Sequence, residues 1–114
     1  MARYTCSYTL SVPLPSLPQY LVEVLESCNF NIIYQTIDYL MARERPGNVA
    51  FSQLVTVEAL IDKTTATQDA VRVNLVIKNE ELPLQTQNHC QQVFENVRKA
   101  ISDCNSWRLV EVVG

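Results

Sequence analysis

The residues of this 114-residue chain that could do chemistry are few, and the most suggestive are its single histidine and the cysteine beside it. His89 could act as a base toward Cys90 only if the two side chains met, because a thiol becomes a nucleophile when a base removes its proton. Adjacent residues on a helix point roughly 100° apart, and the apolar spacing of the surrounding sequence turns Cys90 inward. We therefore expect an exposed histidine in a first helical turn, an inert core thiol and no catalytic residue.

Two short charged segments are the next candidates, Glu80-Glu81 and residues 43–45 (R-E-R). Adjacent carboxylates are typical of a solvated loop, whereas general acid–base catalysis needs carboxyl groups held across a cleft with separated pKa values. For Arg43 and Arg45 the simpler interpretation is a charged strand end, which natural sheets commonly use to prevent pairing with another chain. The only glycines are Gly47 and Gly114, so the sequence has no glycine-rich loop of the kind that cradles phosphate. We expect no cofactor.

The four cysteines invite a metal or disulfide interpretation. No C-x-x-C motif occurs among Cys6, Cys28, Cys90 and Cys104. One histidine with scattered cysteines does not give the ligand spacing of a zinc site. The sequence also has no secretory signal, which indicates a reducing, cytoplasmic location. We therefore expect four buried free thiols and no metal site.

The amino-acid composition indicates which classes of partner the protein does not bind. The net charge is -3, the pI is about 5.0 and charged residues make up 18% of the chain, so the basic footprint of a nucleic-acid-binding protein is missing. No apolar run approaches the roughly 18 residues that a membrane span needs. The sequence predicts one domain, residues 1–114, with neither nucleic acid nor a membrane as partner.

The elements that would position these residues centre on 49–79, where two strands alternate apolar and polar residues around a polar loop. The same alternation predicts strands at 3–12 and 107–113, and residues 31–44 form either two short strands or one strand with a bulge. Apolar residues three and four apart predict helices that begin near Ser16 and Asn88. In the two central strands the positions expected to face the core are Val49, Phe51, Val55, Val57, Ala59, Ile61, Val71, Val73, Leu75 and Ile77.

The order of elements is β-α-β-β-β-β-α-β, with one apolar stripe on each helix. This pattern predicts an α+β two-layer sandwich, in which an antiparallel sheet of about five to six strands carries both helices on one face. In outline it resembles the TATA-binding-protein-like and helix-grip arrangements, and more distantly the ferredoxin-like one. The phrases K-N-E-E-L-P-L-Q and N-H-C-Q-Q-V-F resemble short cyanobacterial proteins, a resemblance that implies no function and no functional residue.

We expect the functional surface on the face of the sheet that does not carry the helices. Because side chains alternate along a strand, burial of Val55 and Val57 turns their neighbours outward, and the resulting mixed surface would suit another protein or a second copy of this chain. The main hypothesis is a non-enzymatic interaction or regulatory module, and an enzyme ranks below it. The candidate surface residues are Leu54, Thr56, Leu60 and Val76.

The alternative hypothesis is a small-ligand binder with a cavity between helices and sheet, which the helix-grip resemblance implies. Tyrosines suit such a cavity because each combines apolar area with a polar tip. The simpler interpretation of the same side chains is ordinary core packing. The candidate lining residues are Tyr4, Tyr8, Tyr20 and Tyr34.

Overall fold

A computed structural model describes residues 1–47, 49–68, 70–80 and 88–114 of the chain. Within these ranges six antiparallel strands form one sheet and two α-helices accompany it, which confirms the predicted α+β class and order of elements. The strands are β1 (Ala2–Ser11), β2 (Phe30–Gln35), β3 (Tyr39–Glu44), β4 (Thr56–Asp62), β5 (Val71–Asn79) and β6 (Arg108–Val113), and the helices are α1 (Leu17–Ser27) and α2 (His89–Asp103). The strand order across the sheet is β2-β3-β4-β5-β1-β6.

The centre of the sheet is the predicted hairpin of β4 and β5. Val57 lies opposite Ile77, and the paired residues that follow along the two strands are also apolar and buried on this face. β1 pairs with β5 on one side and with β6 on the other, so its inward alternation of Cys6, Tyr8 and Leu10 adds a third buried row. Apolar residues of both helices join these rows in one core, which places both helices on the same, inner face.

The first arm of the hairpin starts later than its alternation predicts. β4 begins at Thr56, and a 3₁₀ turn occupies Phe51–Gln53. Within that turn the Gln53 side chain accepts a hydrogen bond from the Ala50 N–H at 3.2 Å, so a local polar contact replaces the sheet ladder. The predictions that Phe51 faces the helices and that Leu54 is exposed are therefore wrong: Phe51 is 73% exposed and Leu54 is 6% exposed.

Residues 31–44 form two strands with a turn between them. The turn is held by a hydrogen bond from the Thr36 N–H to the Tyr39 carbonyl at 2.8 Å, and the Thr36 hydroxyl donates to Asp38 at 3.0 Å. β2 also contains a bulge, because its register against β3 shifts between Ile32 and Tyr34. Of the two alternatives, two strands joined by a turn is therefore correct, and the bulge within β2 is a separate feature.

The helix ends follow the predicted signals in part. Asn88 caps α2, since its side-chain oxygen accepts a hydrogen bond from the Gln91 N–H at 2.6 Å. Ser16 precedes α1 as expected but makes no capping hydrogen bond. After α1 the backbone turns at Asn29, whose φ of 74° is the left-handed conformation that asparagine tolerates better than most residues. Among the described residues, neither helix is long and apolar enough to cross a bilayer.

Candidate functional site

The side of the sheet away from the helices carries a cluster of large side chains, which we call the outer patch: Tyr34, Tyr39, Met41, Leu60 and Val76. Strand pairing brings them together, because Tyr34 lies opposite Met41 and Tyr39 lies opposite Leu60. The rings of Tyr34 and Tyr39 are 6.0 Å apart. Leu60 is 53% exposed and Tyr34 is 57% exposed. The patch therefore presents apolar and aromatic surface to solvent from neighbouring strands.

Polar contacts border the outer patch on the β5 and β1 side. Lys78 and Glu58 form an ion pair at 3.0 Å, and the Ser7 hydroxyl donates to the Asn74 side chain at 2.7 Å. Partial burial, followed by the nearby Glu58 carboxylate, raises the pKa of the Tyr39 hydroxyl above its ordinary value. Tyr39 thus keeps its proton at neutral pH and can donate a hydrogen bond at the edge of the patch.

Three of the four residues predicted for the interaction surface lie on the outer face of the sheet, and two of them, Leu60 and Val76, belong to the outer patch. Thr56 and Val76 are half-buried on the outer face, and Leu60 is exposed there. Leu54 precedes β4 and is buried, so it cannot present its side chain to a partner. The sequence reasoning missed Tyr39 and Met41, although the inward alternation of their neighbours along β3 indicated that both would point outward.

A pocket of about 280 Å³ adjoins the outer patch at the β2 edge of the sheet, and we call it the rim pocket. Phe51 is the most exposed of its lining residues, and the Arg43 guanidinium carbon lies 5.2 Å from the centroid of the Phe51 ring. Beside it, the Arg45 Nε donates to the Asn31 side chain at 2.9 Å. The lining residues are Asn31, Ile33, Arg43, Glu44, Pro46, Phe51 and Leu54.

On the inner face, the end of β3 is joined to the start of α2 by a buried carboxylate and the histidine. The Glu44 oxygens lie 2.8 and 2.9 Å from His89 Nε2, and one of them accepts a hydrogen bond from the Val55 N–H at 3.1 Å. When Glu44 is ionised its carboxylate can only accept, so the contact then requires a proton on Nε2. Glu44 is 6% exposed and the His89 side chain 18%. The prediction of an exposed histidine is therefore wrong.

The sequence pattern of β3 indicated that the Glu44 side chain would face the core. Leu40 and Ala42 face the core, so the alternation along β3 turns Glu44 inward as well. The cysteine beside the histidine behaves as predicted: Cys90 is fully buried, and its sulfur lies 3.7 Å from the Ile77 carbonyl. The Glu44–His89 pair thus joins β3 to α2, and the Cys90 thiol points into the core.

Further polar contacts surround this end of the sheet. The Asn88 amide donates to the Tyr4 hydroxyl at 3.0 Å, and the Asn79 amide donates to the Gln53 carbonyl at 3.0 Å. Both asparagines are buried, and a buried amide is tolerated when it is hydrogen-bonded. These contacts fix the start of α2 and the end of β5 against their neighbours.

The four tyrosines proposed for a ligand cavity lie in different surroundings. Tyr4 stacks on Phe94 with ring centroids 5.2 Å apart, and Tyr8 is 1% exposed in the core. Tyr20 borders an open groove between the two helices, whereas Tyr34 belongs to the outer patch. They do not line one cavity.

The cysteines are all free, with Cys6 and Cys90 buried and Cys28 and Cys104 half-buried. Full burial was therefore predicted wrongly for the two cysteines that lie just beyond helix ends. Within the described ranges, no three histidine, cysteine or acidic side chains gather as a metal site would require. Of the acidic pair, Glu80 is exposed and Glu81 lies outside the described residues.

Comparison of the chain with protein-family models, with curated proteins and with solved structures finds no match.

Proposed function

We propose that this protein is a non-enzymatic interaction module that binds another polypeptide chain through the outer patch. The observation that carries the proposal is the exposure of large apolar side chains on the sheet face opposite the helices, with Leu60 more than half exposed at 53%. Complete burial of a leucine side chain is worth about 1.5–3 kcal/mol. Because Leu60 is 53% exposed, a partner that covered the outer patch would gain roughly half of this contribution from it.

The composition of the outer patch suits protein recognition. Tyrosine is enriched among the residues that dominate binding energy at interfaces, because it offers a large rigid surface with a hydrogen-bonding tip. The patch contains two tyrosines, and the Glu58–Lys78 ion pair stands at its border. An apolar centre with a charged border is the usual arrangement of a specific interface.

The positions of His89 and Cys90 favour a binding role over catalysis. The imidazole Nε2 is engaged by the Glu44 carboxylate, and the Cys90 sulfur lies among backbone carbonyls of the core. A nucleophile–base pair would need the thiol and the imidazole directed at each other beside a substrate.

The test compares the wild type with Leu60→Lys and with Gln92→Lys, a control that adds the same charge on an exposed residue of α2. An exposed substitution changes stability by about 0.5 kcal/mol or less, so both variants should keep the wild-type denaturation midpoint. Light scattering over a concentration series measures self-association, and quantitative affinity purification with the three proteins as baits measures other partners.

We expect Leu60→Lys to lose an association that the wild type and Gln92→Lys retain, because it places an unpaired charge in the interface. A monomeric wild type that retains the same proteins as both variants would exclude the outer patch as the binding surface.

A further inference from the structure

β2 forms one edge of the sheet, and within the described residues it pairs only with β3. Two backbone hydrogen bonds bracket this pairing, from the Arg45 N–H to the Asn29 carbonyl at 2.9 Å and from the Thr36 N–H to the Tyr39 carbonyl at 2.8 Å. In an antiparallel ladder, residues alternate between bonding the partner strand and pointing their backbone groups the other way. The N–H and C=O groups of Ile32 and Gln35 therefore point to the edge of the sheet.

This edge has little of the protection that natural sheets give to their edges. The strand sequence F-N-I-I-Y-Q contains no charged residue and no proline, which are the common devices against pairing with another chain. Residues Ile33, Tyr34 and Gln35 are exposed. Among the described residues, a protective feature that this edge does have is the bulge between Ile32 and Tyr34. A bulge also re-aims a side chain, and here Ile33 lines the rim pocket.

The rim pocket beside this edge combines an apolar wall with positive charge. Ile33 and Phe51 are 55% and 73% exposed, and Arg43 stands over the Phe51 ring. Among the described residues, neither Arg43 nor Arg45 has an acidic side chain in ion-pair distance. The nearby Glu44 carboxylate pairs with His89 instead. The rim pocket therefore offers the Arg43 guanidinium to an acidic ligand, and Arg45 lies beside the pocket on the Asn31 side chain.

We propose that β2 and the rim pocket bind an extended peptide segment of a partner protein that adds as a further strand at the β2 edge. Residues i and i+2 of a strand share a face at a spacing of roughly 7 Å. One apolar side chain of the peptide enters the pocket beside Ile33 and Phe51, and an acidic side chain two positions away meets the Arg43 guanidinium. Backbone hydrogen bonds supply affinity and the pocket supplies specificity in this mode of binding.

The rim pocket and the β2 edge lie outside the outer patch, so peptide binding there can be tested independently of the proposed function. The test begins with the purified protein on a positional-scanning array of capped octapeptides with a threonine background. We expect enrichment of Asp or Glu at one position and of Leu, Ile, Val or Phe two positions away. An array without enrichment, or one that favours Lys or Arg, would overturn the proposal.

The best array peptide, labelled with fluorescein, is then titrated by anisotropy against Phe51→Ala, Arg43→Gln and Leu60→Lys. We expect at least tenfold weaker binding to Phe51→Ala, about threefold or more to Arg43→Gln, and a change below twofold for the outer-patch control Leu60→Lys. Denaturant midpoints check that all three variants are folded.

A peptide N-methylated at alternate residues should lose at least tenfold in affinity, because it cannot complete the ladder with Ile32 and Gln35. Equal binding of the methylated peptide would rule out strand addition. Loss of binding in Leu60→Lys with retention in Phe51→Ala would overturn the rim-pocket site and assign the peptide to the outer patch instead.

Discussion

Removal of the Glu44 carboxylate tests whether the buried pair fastens β3 to the start of α2. In Glu44→Ala the Val55 N–H loses its charged acceptor, and Val55 itself is completely buried. Leaving a buried donor without its charged partner costs about 1.5–3 kcal/mol. His89 loses its partner too, but its 18% exposure allows water to replace part of that contact.

These contributions place the cost of Glu44→Ala at about 2–4 kcal/mol, which overlaps the lower part of the range of about 3–5 kcal/mol for breaking fully buried pairs. Glu44→Gln should cost about 1–2 kcal/mol, because its amide oxygen still accepts from Val55 while the charge facing His89 is lost. For a domain whose total stability is about 5–15 kcal/mol, the larger change is readily measured.

The assay is urea unfolding followed by the fluorescence of Trp107, which is 7% exposed and hydrogen-bonded to the Ile101 carbonyl. With a slope of about 2 kcal/mol per molar urea, Glu44→Ala should lower the midpoint by roughly 1–2 M. The matched control is Glu58→Ala, which breaks the partly exposed pair with Lys78 and should cost no more than about 1 kcal/mol. Equal losses in the two alanine variants would refute the assignment of Glu44 as a buried anchor.

Two further predictions concern buried polar groups. The Tyr8 hydroxyl is buried and makes no hydrogen bond of ordinary geometry among the described residues, although the Cys6 and Arg98 side chains lie close enough to act on its pKa. Tyr8→Phe should therefore leave stability unchanged or raise it by up to about 1 kcal/mol; a loss above about 1 kcal/mol in the urea assay would contradict this. Burial raises the pKa of the Cys28 thiol, so less of it is thiolate at neutral pH and its alkylation by iodoacetamide, followed by peptide mass spectrometry, should be slower than that of free cysteine and accelerate as the pH rises. Labelling of native Cys28 at the rate of free cysteine at neutral pH would argue against this burial, and all four thiols should react in denaturant.

Much of the fold could be predicted from local periodicity. The alternation of β1, β4 and β5 and the apolar stripes of the two helices each match the geometry of one element, so their buried faces follow without knowledge of the partners. Leu60 and Val76 were placed on the outer face by the same argument. Local polar chemistry overrode it at Phe51–Gln53, where the Gln53 side chain closes a 3₁₀ turn.

The sequence by itself thus determined which elements form and which side of each is apolar, because both depend on residues only a few positions apart. Only the tertiary structure decided which elements meet. Glu44 and His89 are separated by 45 positions along the chain, and their contact requires both the pairing of β3 with β4 and the packing of α2 on the sheet. The outer patch likewise forms only because strand pairing sets Tyr34 beside Met41 and Tyr39 beside Leu60, a proximity that no local pattern encodes.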